Sequence, residues 1–234
     1  MLRSSVVAAS ACLILSALTA PLVAQPAFIG IGDLPGGSRS STPYAVSSDG
    51  TVVVGVSKSS GGDEAFRWSA ATGIQGLGTL PGALVGSAWS SRAWGVSGSG
   101  SVVVGAAVDA NGISRAFYWT ASAGMTALPL DPPGYWSEAR NISDDGLVVV
   151  GRMGVDGGTV AFRWSASEGV QFLTDLPPLG PTSDPFDLSA DGTTIVGSIN
   201  SGVPARTAFR WNASLGLVSI PGTTAATGVS RDGA

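Results

Sequence analysis

The sequence predicts an all-β fold: a β-propeller-like array of four-stranded antiparallel blades, with four complete units and partial units at both ends of a truncated chain. Three observations predict it. The phrase AFRW at 65–68 returns as AFYW at 116–119 and as AFRW at 161–164 and 208–211. A second phrase precedes each copy: SSDGTVVVG (47–55), SGSGSVVVG (97–105), SDDGLVVVG (143–151) and SADGTTIVG (189–197). Trp68, Trp119, Trp164 and Trp211 step by 51, 45 and 47 residues, and the closing glycines move with them. Two phrases drifting together at a period in the mid-forties, with several short apolar runs per period, mark a repeat architecture. A residue present in every unit is expected to hold that unit together. Function is therefore sought among residues that break the pattern.

One unit, 44–82, shows why four strands are expected. Tyr44-Ala45-Val46-Ser47 is a short strand, and Asp49-Gly50 reads as a type I′ hairpin turn. Thr51–Val54 is β-branched throughout, which suits a strand buried on both faces. Ser57–Asp63 reads as a Gly/Ser-rich connection. In 65–69 alternation places Phe66 and Trp68 on one face and Ala65 and Arg67 on the other. Thr72-Gly73 is a turn, Ile74–Leu80 a fourth strand, and Pro81-Gly82 its end. The same reading gives units 93–130, 139–178 and 187–222. No segment sustains a helical apolar period. An open stack of β-meanders is the structural alternative, and ring closure is preferred because it removes exposed edges.

The ends fit the same scheme. Residues 1–24 read as a secretion signal: Arg3, an apolar stretch over 6–18, and a small-residue cleavage point after Ala24. The apolar stretch is shorter than the roughly 20 residues a bilayer span needs. Residues 25–234 then form the β-repeat domain, and no membrane span is expected in it. Residues 28–36 (FIGIGDLPG) resemble a lone fourth strand, and 225–234 form a partial unit containing a first strand. The chain stops on a turn like those that introduce the valine runs, which reads as truncation.

Composition narrows the function classes. The only cysteine, Cys12, leaves with the leader, so no disulfide or thiolate metal site is expected. The formal net charge is −4, and losing Arg3 makes it one unit more acidic. Lysine occurs once, at Lys58. Sparse, net acidic charge argues against nucleic acid or anionic membrane as a partner. The chain has no histidine, which removes Ser-His-Asp catalysis, imidazole acid/base chemistry and His-ligated metals. No catalytic residue, metal site or cofactor is expected.

The set of phrases, Ser-x-Asp-Gly-x-x-(Val/Ile)-Val-Gly, Ala-Phe-Arg-Trp and a following Gly-(Ile/Met/Val/Leu)-x-x-Leu-x-x-Leu-Pro-Gly, resembles the bacterial extracellular HAF-type repeat. The resemblance covers nearly everything from Phe28 onward. The copies drift: Tyr118 stands for the arginine, Ser99 for the aspartate, and 128–130 lacks the Leu-Pro-Gly ending. The resemblance implies a secreted or surface protein of bacteria and carries no shared activity or catalytic residues.

The remaining chemistry is weighed residue by residue. Asp49, Asp145, Asp191 and Asp232 recur beside glycine, where aspartate serves turn geometry rather than calcium. The phrase lacks the spacing of the sialidase Asp-box. Arg67, Arg163 and Arg210 are expected to pack or stack at the unit interface, and the Phe and Trp of each AFRW copy to form core between units. Asp63, Glu64, Asp109, Glu138 and Asp156 do not recur and are assigned to connections. The sequons at Asn141 and Asn212 overlap repeated phrases and are incidental. Trp89, Trp94, Tyr135 and Trp136 are assigned to the longest insertions without equivalent positions, and they form the candidate recognition patch. The expected function is a non-catalytic exported scaffold for extracellular or cell-surface binding, its ligand a carbohydrate or a protein. The alternative is an extracellular propeller enzyme, a glycosidase or lyase, using loop carboxylates.

Overall fold

Every repeat becomes one antiparallel sheet because its β-branched run is flanked by turn glycines at both ends. The computed structural model describes residues 29–83, 90–130, 135–174, 182–200 and 206–234. Blade 1 is β1 (Gly36–Val46), β2 (Val52–Ser59), β3 (Gly62–Ser69) and β4 (Gly73–Gly76). Blade 2 is β5 (Ser91–Val96), β6 (Val102–Val108), β7 (Ser114–Thr120) and β8 (Gly124–Ala127). Blade 3 is β9 (Ser137–Ile142), β10 (Val148–Val155), β11 (Gly158–Ser165) and β12 (Gly169–Phe172). Blade 4 is β13 (Thr182–Leu188), β14 (Ile195–Asn200), β15 (Thr207–Asn212) and β16 (Gly216–Ile220). Strands pair in sequence order within each sheet. All four sheets lie in one contact unit, Ile31–Ala234; of the other, Met1–Gly30, only Ile29 and Gly30 are described.

Register explains why the two repeated phrases travel together. The closing glycine of the valine run pairs with the phenylalanine of the next strand in every blade: Gly55 with Phe66, Gly105 with Phe117, Gly151 with Phe162, Gly197 with Phe209. All four rings are fully buried. A Cβ on Gly151 would come within 2.6 Å of the Phe162 ring, and one on Gly105 within 2.8 Å of the Phe117 ring. The ring occupies the space the glycine leaves empty, so neither residue can vary alone. Opposite each glycine the first strand carries a bulge that leaves one residue extra: Tyr44, Trp94, Arg140 and Phe186.

The Asp-Gly turns differ from the expected type I′ geometry. Among the described residues no non-glycine residue has positive φ, while Gly50, Gly100, Gly146, Gly192 and Gly233 have φ of 72, 69, 77, 68 and 74°. Only one central position is left-handed, so the hairpin is a wider turn with glycine last. Gly50 N donates to Ser47 O at 2.8 Å, and Ser47 N to Val52 O at 2.9 Å. The aspartate serves the turn: Asp49 Oδ1 accepts from Ser47 Oγ (2.6 Å) and Thr51 N (2.9 Å), and Asp145 and Asp191 repeat the pattern. These bonds hold the Asp49 and Asp191 carboxyls below the usual carboxylate range, the serine hydroxyl contributing most.

Blades join face to face. Val52 and Val54 of β2 bury against Ala93, Val96 and Val103 of blade 2. Val102 and Val104 pack on Ile142 and Val149 of blade 3, and Val148 and Val150 on Leu188 and Ile195 of blade 4. The next turn glycine also sits on the residue that opens the preceding blade's β-branched run: a Cβ on Gly192 would meet Val148 at 2.7 Å, and one on Gly233 would meet Thr194, which stands in the valine's place, at 2.7 Å. Two of the three motif arginines cross the same joint by hydrogen bonding rather than stacking, while Arg163 pairs with Glu168 of its own blade. Arg67 Nε donates to Gly100 O (3.1 Å) and Arg210 Nη2 to Gly233 O (2.8 Å). Where Tyr118 replaces the arginine, the ring lies against Trp164 at 6.3 Å. Trp211 is buried, but Trp68, Trp119 and Trp164 are only half-buried, so the phenylalanines supply most of the core expected of both.

First strands of successive blades lie side by side around an axis. Their turns are linked by a main-chain ladder: Asp49 N to Gly98 O, Gly98 N to Asp144 O, Asp144 N to Ala190 O and Ala190 N to Arg231 O. The ladder curls back on itself. Arg231 Nη1 donates to Ser48 Oγ at 2.7 Å, a contact across 183 residues of sequence. The four blades follow a curve rather than a straight stack.

Several boundaries shift. The expected connection Ser57–Asp63 is mostly strand, because β2 and β3 run on to a tight turn at 60–61. The fourth strand shrinks to Gly73–Gly76, since Leu77 turns inward to donate its N–H to Ala65 O at 2.8 Å. The lone fourth strand expected at 28–36 forms no strand over 29–34, although Leu34 is buried and donates its N–H to Ser57 Oγ. Residues 225–230 are not a strand either; Ala226 N bonds Gly197 O, and the segment lies along blade 4.

Candidate functional site

Two positions of every first strand carry variable chemistry on an invariant frame. Five residues before each motif serine stand Thr42, Arg92, Glu138 and Asp184; three before it stand the bulge residues Tyr44, Trp94, Arg140 and Phe186. A bulge re-aims a side chain at little cost to the sheet. These residues form an arc that crosses each blade boundary.

Asp63 of β3 lies between Lys58 and Arg92, with Arg92 Nη2 at 2.7 Å. The Arg140 guanidinium lies 4.9 Å from the centre of the Trp94 ring, and its Nη2 is 3.3 Å from Glu138 Oε2. Arg152 Nε donates to the same oxygen at 3.1 Å and Nη1 to Asp184 Oδ1 at 2.8 Å, with the guanidinium 5.3 Å from the Trp136 ring. Arg206 closes the arc, 3.5 Å from Asp184 Oδ2 and 5.6 Å from the Phe186 ring. Burial works against ionisation of Asp63, yet Lys58 and Arg92 outweigh it and hold the carboxyl below its usual range. Burial, then the neighbouring Arg152, lowers the Arg140 pKa.

Two clefts open beside this arc at equivalent places in the first and fourth blades. One, about 250 Å³, is bordered by Ser40, Thr42, Tyr44, Lys58, Asp63 and Arg92. The other, about 160 Å³, is bordered by Thr182, Asp184, Ser198, Asn200 and Arg206. At the turn end the axis is stoppered. Ser48 Oγ donates to Asp144 Oδ1 at 2.6 Å, and Asp144 pairs with Arg231. Behind that stopper Asp187 accepts from Asn141 Nδ2 (2.8 Å) and Val229 N (3.0 Å). A further cavity of about 500 Å³ separates the outer strands of blades 3 and 4 and is lined by Arg163, Glu168, Arg210 and Asp232. Its arginines are committed, Arg163 to Glu168 and Arg210 to Gly233 O.

The candidate recognition patch is only partly assembled. Trp89 lies outside the described residues. Trp94 is in strand β5, not in an insertion, and its position recurs as Tyr44, Arg140 and Phe186. Trp136 is half-buried, covered by Arg152 and joined to Trp94 through Arg140 and Glu138. Tyr135 is 62% exposed, with its hydroxyl on Asp156, which raises the phenol pKa. Glu138, Asp63 and Glu64 lie in strands rather than connections. Sequence reasoning missed Arg92, Arg140, Arg152 and Arg206. The first two had a signal, a fixed offset before each serine whose occupant changes between polar and aromatic types.

Comparisons with known proteins rest on shape. No family model matches the chain, and no curated protein matches it in sequence. Among solved structures it is similar to TolB from Acinetobacter baumannii (TM-score 0.57, 17% identity, 76% of this chain and 42% of that one). It is also similar to a putative TolB from Agrobacterium tumefaciens (TM-score 0.60, 16% identity, 86% and 74%). The chain has the fold of a β-propeller. A prolyl endopeptidase is similar too, at TM-score 0.54 and 13% identity over 77% of this chain and 28% of that one. The chain thus spans about two fifths of the length of the first TolB.

Proposed function

We propose that the protein is an exported, non-catalytic propeller scaffold that binds a ligand outside the cell or at its surface, through the arc at its axis. One observation carries this reading: the recurring arginines and aspartates are consumed by blade-to-blade bonds, turn bonds or pairing within the blade, whereas variable arginines, carboxylates and aromatics collect at one place. Resemblance to HAF-type repeats and the leader-like residues 1–24, which lie outside the described residues, support export. Three of the five non-recurring carboxylates that a glycosidase would draw on are matched by cations, Asp63 by Lys58 and Arg92, Asp109 by Arg115 and Glu138 by Arg140 and Arg152, while Glu64 accepts from Gly78 N and Asp156 from the Tyr135 hydroxyl. Asp63 and Asp109 are held below the usual range, against burial, which opposes the role of a general acid.

Affinity electrophoresis through polysaccharide-containing gels, with a parallel assay for new reducing ends, tests the reading. Retarded migration without product is expected; product formation that disappears in Glu138→Gln or Asp63→Asn overturns it. Export is checked by sequencing the N-terminus of protein recovered outside the cytoplasm, which is expected to begin after Ala24.

A further inference from the structure

We infer that the axial arc recognises a carboxylate-bearing polysaccharide, a uronic-acid polymer in chemical class; this rests on the binding reading above and names its ligand. The chain is acidic overall, at −4, yet among the described residues the ion pairs of the arc set Lys58, Arg92, Arg140, Arg152 and Arg206 on three carboxylates, Asp63, Glu138 and Asp184. Two positive charges are left over within an otherwise acidic molecule, and a local field of opposite sign selects for anions. Guanidinium groups, four of the five cations, present a planar fork that matches a carboxylate.

The surplus is distributed rather than focused. Lys58 and Arg92 meet at the joint of blades 1 and 2, Arg140 reaches Trp94 at the joint of 2 and 3, and Arg152 reaches Asp184 at the joint of 3 and 4. Charges repeated at blade spacing suit a stiff polymer with repeated carboxylates better than a single small anion. Tyr44, Trp94, Trp136 and Phe186 lie between those charges and are none of them fully buried. An aromatic face beside a guanidinium offers a sugar ring an apolar surface and its carboxylate a partner. Lys58 and Arg206, the most exposed of the five cations, border the two clefts.

The test titrates the full chain with three probes of matched length: an oligogalacturonate, a neutral glucan and poly-glutamate. Binding of the oligogalacturonate alone is expected, weakening as salt rises. The double variant Lys58→Gln/Arg206→Gln removes two exposed charges whose acidic partners keep Arg92 and Arg152, so folding is preserved and checked by its melting temperature. Binding is expected to fall by about tenfold in this variant, while Arg163→Gln in the outer cavity leaves it unchanged. Equal binding of poly-glutamate overturns the polysaccharide assignment in favour of an acidic polypeptide. Binding of the neutral glucan alone, or indifference to the double variant, overturns the inference and leaves the binding reading standing. Retention of none of the three probes here, or of any polymer in the gel assay, overturns both.

Discussion

Gly151 has no side chain because the volume a Cβ would need already holds the Phe162 ring and lies against the Glu138 carbonyl. The same exchange of volumes recurs in every blade, so glycine at this position is a packing decision and not a turn signal. Gly151→Ala is expected to destabilise the fold by about 1–3 kcal/mol, the cost of overpacking a filled site. Melting temperature would fall by roughly 2–4 °C per kcal/mol in a domain of this size. A substitution that left melting unchanged would show that the phenylalanine ring can step aside, and the pairing account would fail.

At the scale of the strand, equivalent positions differ in what covers them. Val46, at the end of β1, is 59% exposed, whereas Val96, Ile142 and Leu188 at the same place in β5, β9 and β13 are 8, 4 and 7% exposed. The latter three bury against valines of the preceding blade. Gly50 shows the same contrast: a Cβ there would meet nothing within 4 Å, while those on Gly146, Gly192 and Gly233 would press on a preceding blade. Truncation should therefore read out each joint. Ile142→Ala is expected to cost about 2–5 kcal/mol, and Val46→Ala less than about 0.5 kcal/mol. Denaturant midpoints of the two variants compare them directly. Similar losses at both would mean that Val46 is covered in solution.

For the whole molecule, the titration behaviour follows from which groups are present and how they are held. Asp49, Asp191 and Asp232 recur in the turn ladder, and Asp63 sits in the arc; all four are held below the usual carboxylate range. The three turn carboxylates owe this first to the serine hydroxyl beside each, whereas Asp63 must overcome its own burial through Lys58 and Arg92. A carboxyl whose folded pKa lies below its unfolded value stabilises the fold above the unfolded value, near 4, and loses that contribution as pH falls through the folded one. With no histidine in the chain, no side chain has an ordinary pKa between about pH 5 and 8. Melting temperature is expected to be flat across that range and to drop below about pH 4. A transition near pH 6 would contradict the assignment.

What the sequence determined by itself was the repeat and its four-stranded unit. Period, turn glycines and β-branched runs are local signals, and antiparallel neighbours joined by short turns convert them directly into sheets. The turn role of Asp49 and its equivalents was legible for the same reason, although the turn type was not, because glycine alone does not reveal how many central residues are left-handed. The candidate arc needed the tertiary structure. Trp94 and Arg140, or Arg152 and Asp184, are brought together only when blades pack around an axis, and the bulge that turns Trp94 inward is a product of register. Arg92 and Arg140 stood at readable offsets before each motif serine. Their meaning depended on neighbours dozens of residues away, which strand pairing within one blade does not specify and packing between blades does.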